Sequence, residues 1–535
     1  MEEKDSSVAE PEEEESAQPG LRKFTPEELK SVLEEHEKWL VSEGKEGTKA
    51  NLLGANLSEA NLRKTNLGKA NLEGVDLGGS DLREAFLQDA DLNGVKGLQG
   101  GQLAGADVSG AKLPEDVAKF EDGLKVVEEA SRNARKLFFA MLSACAYALL
   151  TIATTTDVLL LTNSRSSPLP IIRTEIPIVW FYIAAPLVLL CLYFYFHLYM
   201  QRLWEGLTLL PAVFPDGRPL DQKAYPWLLT GLVRAHVLHL RKRRPPLSRF
   251  QEWISVALAW WFMPATLICF WLRYIPRQDW FGTTLHIGLL VVVVWAGVLF
   301  YRLAIGTLRW DEIELSLWKK PFKKVMTYKR GVLAGSLGMI VLLLSLGTVN
   351  GVRGTDDAGT LKFQFNEVRT WVPHVLERIG FSPFANFSEK DVSTKPPNWS
   401  GKEEESPLVK GAPLRGRNLR YAYARRAFLV NANLEKADLR GAILWGANLE
   451  KANLRGANLQ GADLYLAYLQ KANLWGADLQ GANLWGADLK EAEGLDAKQL
   501  SEVKTLYLAT GLDSKLKEQI KKEDHAHLFD KPKED

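Results

Sequence analysis

The chain has 535 residues, of which 46% are hydrophobic and 24% are charged, and its 66 Lys and Arg residues nearly balance its 65 Asp and Glu residues. A net charge of +1 argues against a nucleic-acid binder with a strongly basic surface, and it excludes a wholly acidic mimic of DNA. The three cysteines, Cys145, Cys191 and Cys269, each stand alone in an apolar run, so the sequence predicts neither a disulfide framework nor a CxxC metal site.

The N-terminus is acidic and is followed by a helix signal. Residues 1–24 contain four consecutive glutamates and no apolar core, which predicts a disordered tail without a cleaved signal peptide, and therefore a cytoplasmic N-terminus. Thr25, Pro26 and Glu28 supply an N-cap, a proline at the first helical position and a capping-box glutamate. They predict a capping helix within residues 25–49 that ends near Glu43.

A first repeat occupies residues 50–115. Leucine recurs every five residues from Leu52 to Leu92, and a small residue usually stands two positions before it. A period of five fits neither a helix nor a flat strand. It fits a chain that turns a corner every five residues, with the leucine and the small residue inside and Asn, Asp and Gly at the bends. The register slips by one residue at Leu98, and three further units then centre on Leu103, Val108 and Leu113.

A second repeat occupies residues 411–495, with sixteen units in register from Leu414 to Leu489. A representative unit reads Ala-Asp-Leu-Arg-Gly at residues 437–441, and such A(D/N)LxG arrays resemble the pentapeptide-repeat family. The resemblance implies a right-handed quadrilateral β-helix with four units in each coil. Arg417 stands where a small inward residue is expected, so its coil is either imperfect or marks a cap. Residues 496–535 are interpreted as a C-terminal cap and tail, because a solenoid needs its open end covered.

Five apolar runs between the two tracts reach the length of about 20 residues that a bilayer span requires. Pro186 and Pro264 lie inside two of them, which membrane helices tolerate when neighbouring groups bind the freed carbonyls. The predicted fold class is therefore mixed: an α-helical transmembrane bundle of about five spans within residues 137–350, flanked by two β-helix domains. The five runs are residues 137–156, 176–198, 254–272, 281–301 and 331–349. Residues 116–136 are predicted as a connecting helix and 351–410 as a connecting segment.

The basic residues predict the orientation. Residues 199–252 and 302–330 hold nine and eight Lys and Arg residues, whereas 163–175 and 273–280 hold two each. The positive-inside rule places the two rich segments in the cytoplasm. With five spans, the N-terminal repeats then lie inside and the C-terminal repeats on the opposite side of a bacterial inner (plasma) membrane, and an error of one span reverses the second placement.

Few residues suggest chemistry, and neither a metal ion nor an organic cofactor is predicted. His236 and His239 could share one helix face as metal ligands, but no Cys or carboxylate stands at ligand spacing, so a structural role is favoured. Asp157 ends the first apolar run; an interfacial position is favoured, and an intramembrane ion or proton site is the alternative. The basic run 241–244 is interpreted as a topology determinant, and contact with anionic lipid head groups is a second interpretation that is compatible with the first.

A possible contact surface follows from the fold that the resemblance implies. With four units per coil, Trp445, Tyr465 and Trp485 form one outward column that Arg425 continues. Trp475 points to the opposite face, in line with Arg455 and Glu435, and the first tract has no aromatic column. The column is a candidate interaction face. The favoured interpretation is that its rings simply pack against residues 362–410 or against the same column of a second copy, and a contact surface for another partner is the alternative.

The predicted function is that of a non-catalytic, multi-pass membrane scaffold, because a solenoid filled with Ala and Leu offers no concave pocket for catalysis. The expected partners are membrane lipids and either a protein partner or a second copy bound through the repeats, with an envelope glycan possible if the C-terminal domain is outside; no nucleic acid is expected. A channel or transporter with regulatory repeats is the first alternative. The family also includes soluble DNA mimics that protect gyrase, but neither tract is strongly acidic, and this alternative has the least support.

Overall fold

The computed structural model describes residues 22–118, 120–163, 177–224, 227–241, 247–309, 382–400, 403–522 and 525–532. The chain divides into two compact units. The first unit draws on Met1–Phe138, Phe196–Ala257 and Phe300–Leu315, and the second on Phe139–Tyr195, Leu258–Leu299 and Ser316–Asp535. Each unit contains one of the two repeat tracts.

Helices flank and separate the repeats. The α-helices are α1 (Pro26–Val41), α2 (Glu115–Ala118), α3 (Glu121–Thr154), α4 (Asp157–Thr162), α5 (Ile178–Thr208), α6 (Leu220–Lys223), α7 (Leu232–His236), α8 (Leu238–Arg241), α9 (Ser248–Val256), α10 (Phe262–Tyr274), α11 (Trp280–Leu308), α12 (Ala497–Ser501) and α13 (Ser514–Lys522). A π-helical segment, Ala257–Trp261, joins α9 to α10. The 3-10 turns are Gly100–Leu103, Ile275–Arg277, Glu403–Leu408 and Ala526–Phe529. Two short strands, β1 (Arg22–Lys23) and β2 (Ala55–Asn56), pair in parallel.

The first unit contains the N-terminal solenoid. Parallel bridges join residues twenty apart, such as Asn51 to Asn71 and Asn61 to Asp81, which gives four repeats per coil as predicted. The leucines and small residues of the repeat fill the interior. The predicted capping helix is α1, whose Thr25 and Glu28 form the expected capping box. His36 of α1 is buried and its Nδ1 accepts a hydrogen bond from the amide of Ala50 at 3.1 Å.

The register slip near Leu98 has a structural cause. Residues 97–103, Gly-Leu-Gln-Gly-Gly-Gln-Leu, form a turn that lengthens one coil by a residue, so that Asp91 bridges Lys112 rather than residue 111. The Nε2 of Gln102 donates to the carbonyls of Leu77 and Ser80, both at 2.8 Å. We call residues 97–103 the first Gln turn, because this side chain binds the turn to the coil before it.

The N-terminal solenoid includes a segment that the sequence predicts as part of a cytoplasmic loop. Val213 forms a parallel bridge with Asp107, and the amide of Ala212 donates to the carbonyl of Ala106 at 2.9 Å. Ala212 and Phe214 are buried, in the places that the small residue and the leucine take in a repeat. The predicted boundary of the solenoid at residue 115 is therefore wrong, because residues 212–214 add a unit to its last coil. This unit stands alone in the sequence, so no period reveals it.

The second unit contains the C-terminal solenoid, which begins before the predicted boundary at residue 411. Asn386 bridges Tyr423 and Asp391 bridges Phe428, so residues 385–392 form part of the first coil. Ala385 and Phe387 are buried inside it. The prediction that residues 351–410 form a connecting segment is wrong for residues 385–392. The chain leaves the repeat after Val392, and this interrupts the period of five on which the prediction depends.

A second Gln turn precedes the last coil. Residues 494–500 read Gly-Leu-Asp-Ala-Lys-Gln-Leu, and the Nε2 of Gln499 donates to the carbonyls of Leu474 and Ala477 at 3.3 and 2.8 Å. After this turn the bridges join residues 22 apart, as in Asn483 to Thr505. The helices α12 and α13 and the last 3-10 turn then cover the end of the solenoid, where Ile520 and Leu528 are buried in its core. The predicted C-terminal cap lies here.

Within the described residues, four helical stretches are long and apolar enough to cross a membrane: Glu115–Thr154, Ile178–Thr208, Ser248–Arg277 and Trp280–Leu308. They overlap four of the five predicted spans. The fifth, 331–349, lies outside the described residues, and so do residues 164–176 and most of 302–330 from the orientation argument. The predicted orientation therefore stays a prediction.

The proline in the third stretch is accommodated as expected for a membrane helix. Pro264 has no N–H to donate to the carbonyl of Trp260 four residues earlier. The hydroxyl of Tyr193 donates to this carbonyl at 3.1 Å. The freed carbonyl therefore has a partner despite its burial.

Candidate functional site

The repeat positions its outward side chains in columns. Where an Asn or Asp stands before the central leucine, it accepts a hydrogen bond from the amide two residues later, as Asp463 does from Tyr465 at 3.2 Å and Asn483 from Trp485 at 3.2 Å. This bond fixes the bend with the residue after the leucine pointing outward. Residues twenty apart then lie one above another.

The predicted aromatic residues lie in one such column and touch. Ring centroids are 5.8 Å apart from Trp445 to Tyr465 and 5.8 Å apart from Tyr465 to Trp485, in edge-to-face arrangements. The guanidinium of Arg425 lies 3.6 Å from the centroid of the Trp445 ring. These contacts leave the rings half-buried and hold them in fixed positions. The structure brings all four candidate residues together.

Tyr507 continues the column, although the sequence did not predict it. Its ring centroid lies 5.1 Å from that of Trp485. The second Gln turn shifts the register by two residues, so counting in fives from Trp485 does not reach it. The signal was nevertheless present, because Thr505, Leu506 and Tyr507 repeat the order of a polar residue, the central leucine and an aromatic ring.

The corner beside the column carries two leucines where glycine is favoured. The chain turns each corner with a left-handed residue, and Gly446 and Gly486 serve in this row with φ of 62° and 64°. Leu466 and Leu508 occupy the same row with φ of 54° and 60°, which costs a branched side chain about 1–2 kcal/mol. Their side chains are 45% and 62% exposed, so burial within the chain only partly offsets this cost.

The surroundings of the corner are apolar and nearly uncharged. Tyr468, on the adjoining face, is 52% exposed. Asp463 accepts a hydrogen bond from Asn483 at 2.9 Å, and Asp488 accepts one from Gln470 at 2.6 Å. We call the following set the aromatic strip: Trp445, Tyr465, Leu466, Tyr468, Trp485, Tyr507 and Leu508, with Arg425 and Arg426 at its first end.

The other predicted outward residues do not join the strip. Trp475 lies on the opposite face, is 60% exposed and packs over Gly494. In the N-terminal solenoid, Arg63 pairs with Glu84 at 3.0 Å and Arg83 with Asp81 at 2.7 Å. The outward surface of that solenoid is therefore built from ion pairs rather than stacked rings.

Asp157 has a structural position at the first end of the C-terminal solenoid. It is the first residue of α4, and one carboxylate oxygen accepts a hydrogen bond from Arg273 at 2.5 Å. The other oxygen accepts one from the amide of Asn386, in the first coil, at 2.7 Å. Arg273 also donates to the carbonyl of Thr155. Because both oxygens of Asp157 are engaged, the geometry favours an anchor between α4, α10 and the solenoid over an ion site.

Further contacts fix this end of the solenoid to helix ends. Leu161 of α4 is buried in the same apolar cluster as the solenoid interior. Gln278 donates to the carbonyl of Pro383 at 2.9 Å, and Arg277 donates to the carbonyl of Leu160 at 2.7 Å. Burial, and then the nearby charge of Arg277, lowers the pKa of Arg417. Arg417 itself is half-buried in this region of the solenoid.

The two histidines considered as metal ligands belong to different short helices. His236 ends α7 and His239 lies in α8, with Val237 in an extended conformation between them. The alternative in which they share one helix face as metal ligands is therefore wrong. The Nε2 of His239 lies 2.9 Å from the carbonyl of Glu84, and its ring meets the edge of Phe86 at 4.3 Å. His239 thus packs against the N-terminal solenoid.

Comparison with known proteins identifies the repeats. The family profile for Pentapeptide repeats matches in eight copies, within residues 48–79, 60–96, 70–113, 418–456, 432–469 and 467–493. Both tracts are pentapeptide repeats. No curated protein matches the chain.

Several solved pentapeptide-repeat structures are similar to parts of the chain. One from the Arabidopsis thaliana thylakoid lumen is 31% identical, with a TM-score of 0.16, and the match covers 17% of this chain and 62% of that one. A pentapeptide-repeat protein from the cyanobacterium Cyanothece 51142 is 43% identical, with a TM-score of 0.14 and coverage of 15% and 53%. HetL, from the cyanobacterium Nostoc sp. PCC 7120 and involved in heterocyst differentiation regulation, is 32% identical, with a TM-score of 0.15 and coverage of 21% and 44%. The chain spans less than two thirds of the length of each.

Proposed function

We propose that this chain is a non-catalytic membrane scaffold whose C-terminal pentapeptide-repeat solenoid binds a protein partner through the aromatic strip. The observation that carries the proposal is the pair of exposed leucines, Leu466 and Leu508, in left-handed corners beside stacked rings. Other corners of the solenoids carry charged residues such as Lys436 and Lys451 in the same left-handed conformation, whereas these two leucines add an exposed apolar edge beside the rings. An exposed apolar patch with a charged end is typical of a protein contact.

The solenoid interior supports a binding role rather than a catalytic one. Its buried ladder consists almost entirely of Ala and Leu from Ala412 to Leu489. A catalytic site needs a concave pocket with converging polar groups, and a filled rod presents only convex faces. Because Asp157 is engaged as an anchor, it lends no support to the alternative of a channel or transporter.

Membrane attachment is part of the proposal and rests on the four apolar helical stretches. The contacts of Asp157 and Gln278 fix the first coil of the C-terminal solenoid to the ends of such stretches. A scaffold of this kind would hold the aromatic strip at a constant distance from the bilayer.

Site-specific photo-crosslinking tests the binding role. A photoreactive amino acid replaces Tyr465 in the full chain, in native membranes, and the matched control places it at Trp475 on the opposite face. We expect protein crosslinks from position 465 and few from position 475. The double variant Trp445→Ala/Trp485→Ala should reduce crosslinking from position 465 by roughly 30-fold or more, the loss typical of two truncated hot-spot aromatics. Equal crosslinking from both positions would contradict the proposal.

A further inference from the structure

We infer that the partner of the aromatic strip is the aromatic strip of a second copy of this chain, so that two C-terminal solenoids run side by side. The inference rests on the proposed function and names its partner. Four features of the described residues support it: the charge of the strip, the direction of the solenoid, the row of corner residues and the shape of the patch.

The charge of the strip suits contact with an identical surface. Between Trp445 and Tyr507 the strip presents rings and aliphatic groups, and the two nearby carboxylates, Asp463 and Asp488, are each hydrogen-bonded within the chain. A two-fold interface places the residues on its axis next to their own copies, so an unpaired charge at its centre would face a like charge. The cations stand at the end of the strip, where Arg425 covers the Trp445 ring and Arg426 lies 3.9 Å from Glu389.

The direction of the solenoid sets the register of such a pair. The first coil is bound to helix ends through Asp157 and Asn386, and each later coil lies further from this anchor. Two copies in one bilayer therefore point the same way, with coils at the same level. A two-fold axis parallel to the rods would then bring Tyr465 and Leu466 next to the same residues of the second copy.

The same direction argues against a lipid surface as the occupant. The rings from Trp445 to Tyr507 occupy four successive coils, about 14 Å along the rod at about 4.8 Å per coil. Aromatic side chains that anchor a protein at a membrane interface lie at one depth, at the level of the lipid head groups. A column that extends away from the anchored end matches another rod better than it matches a flat bilayer.

The corner row gives the pair its apolar centre. The side chain of Leu466 packs against Gly486: a Cβ added to this glycine would lie 2.7 Å from Leu466 Cδ2. The two residues therefore form a continuous apolar edge along the corner row. Leu508 continues the edge one coil later. Homodimer interfaces are more apolar at their centre than transient ones, and the polar groups around this edge supply the rim.

Two cysteine variants of the full chain in its membrane test the register. Leu466→Cys should form a disulfide with its own copy on mild oxidation, whereas Lys436→Cys, at a left-handed corner of a different row, should not. The wild-type chain sets the background, because all three native cysteines lie in apolar helices. Equal crosslinking of both variants, or none from Leu466→Cys, would overturn the inference.

Two glycine substitutions separate pairing from folding. The variant Leu466→Gly/Leu508→Gly keeps residues that adopt the left-handed corners readily, so the chain should still fold with an unchanged circular-dichroism spectrum. Light scattering of the detergent-solubilised chain should nevertheless fall from twice 59.9 kDa to 59.9 kDa. Lys436→Gly is the matched control and should stay at the higher mass. A wild-type chain of 59.9 kDa whose Tyr465 position still crosslinks to another protein would refute self-pairing and leave the proposed function standing.

Discussion

The two solenoids share one interior and differ in how their ends are completed. Both bury the same ladder of leucine and small residues, and both break the period of five with a Gln turn. The N-terminal solenoid gains a unit at its last coil from Ala212 and Phe214, whereas the C-terminal solenoid gains units at its first coil from residues 385–392. Each completed end contacts residues at helix ends of its own unit: Phe214 packs on Phe120, just before α3, and the carbonyl of Pro383 binds Gln278. The repeats are thus joined to the helices at the ends where their coils are completed.

The outward faces of the solenoids differ more than their interiors. Ion pairs such as Arg63 with Glu84 cover the N-terminal solenoid, and the stacked strip covers one edge of the C-terminal solenoid. The repeat constrains the inward residues and the bends but leaves the outward positions free. Differences in function between the two rods are therefore expected in those positions.

The largest expected effect comes from removing the isolated unit of the N-terminal solenoid. Phe214 is 1% exposed, so Phe214→Ala should cost about 3–5 kcal/mol of unfolding free energy. Limited proteolysis should then cleave the N-terminal solenoid faster and leave the C-terminal solenoid intact. Phe281→Ala, which removes an exposed ring, is the control. Equal protection of the N-terminal solenoid in both variants would show that residues 212–214 do not complete it.

The anchor of the C-terminal solenoid should show the next largest effect. Asp157→Asn removes the charge that Arg273 and the amide of Asn386 share, and it should destabilise this junction by about 1.5–3 kcal/mol. Proteolytic cleavage within residues 382–400 should accelerate, while cleavage of the N-terminal solenoid should not change. Asp391→Asn, in an exposed ion pair with Lys395, is the comparison.

The Gln turns allow the same change to be made in both solenoids. Gln102→Ala and Gln499→Ala each leave two coil carbonyls without their side-chain donor, so each should cost its own solenoid about 1–3 kcal/mol. Denaturant midpoints followed by a probe in each solenoid would measure this. A loss in only one solenoid would mean that the two turns are alike in sequence but not in energetic role.

The smallest expected effect is a pH dependence confined to the N-terminal solenoid. Burial lowers the pKa of His36 below its usual 6.5, and its Nδ1 must stay unprotonated to accept the amide of Ala50. The unfolded chain therefore binds the proton first, so stability is full above about pH 6.5 and falls as the pH drops from there through the folded-state pKa. The His36→Gln variant should lose this slope. An unchanged slope in that variant would assign it to other groups.

The sequence was sufficient to predict the structure of the repeats wherever the period of five continued without interruption. Counting along one register predicted the inward ladder. The resemblance to the pentapeptide-repeat family implied four repeats per coil, and the two together predicted the column of Trp445, Tyr465 and Trp485. The sequence missed Phe214, Phe387 and Tyr507, because a single unit separated by a loop or turn carries no period. Nor could counting reveal that Asp157 meets Asn386, since that contact joins segments more than two hundred residues apart.

The position of Phe214 also affects the order in which the protein can be made. The last coil of the N-terminal solenoid needs a unit that is translated roughly a hundred residues after the rest of the tract, which at about 5–20 residues per second is a delay of about 5–20 s. During this interval the helix α5 must also be synthesised, because it precedes the missing unit. Closure of the first solenoid therefore waits for the synthesis of the second apolar helix, so that the two steps belong to one assembly process.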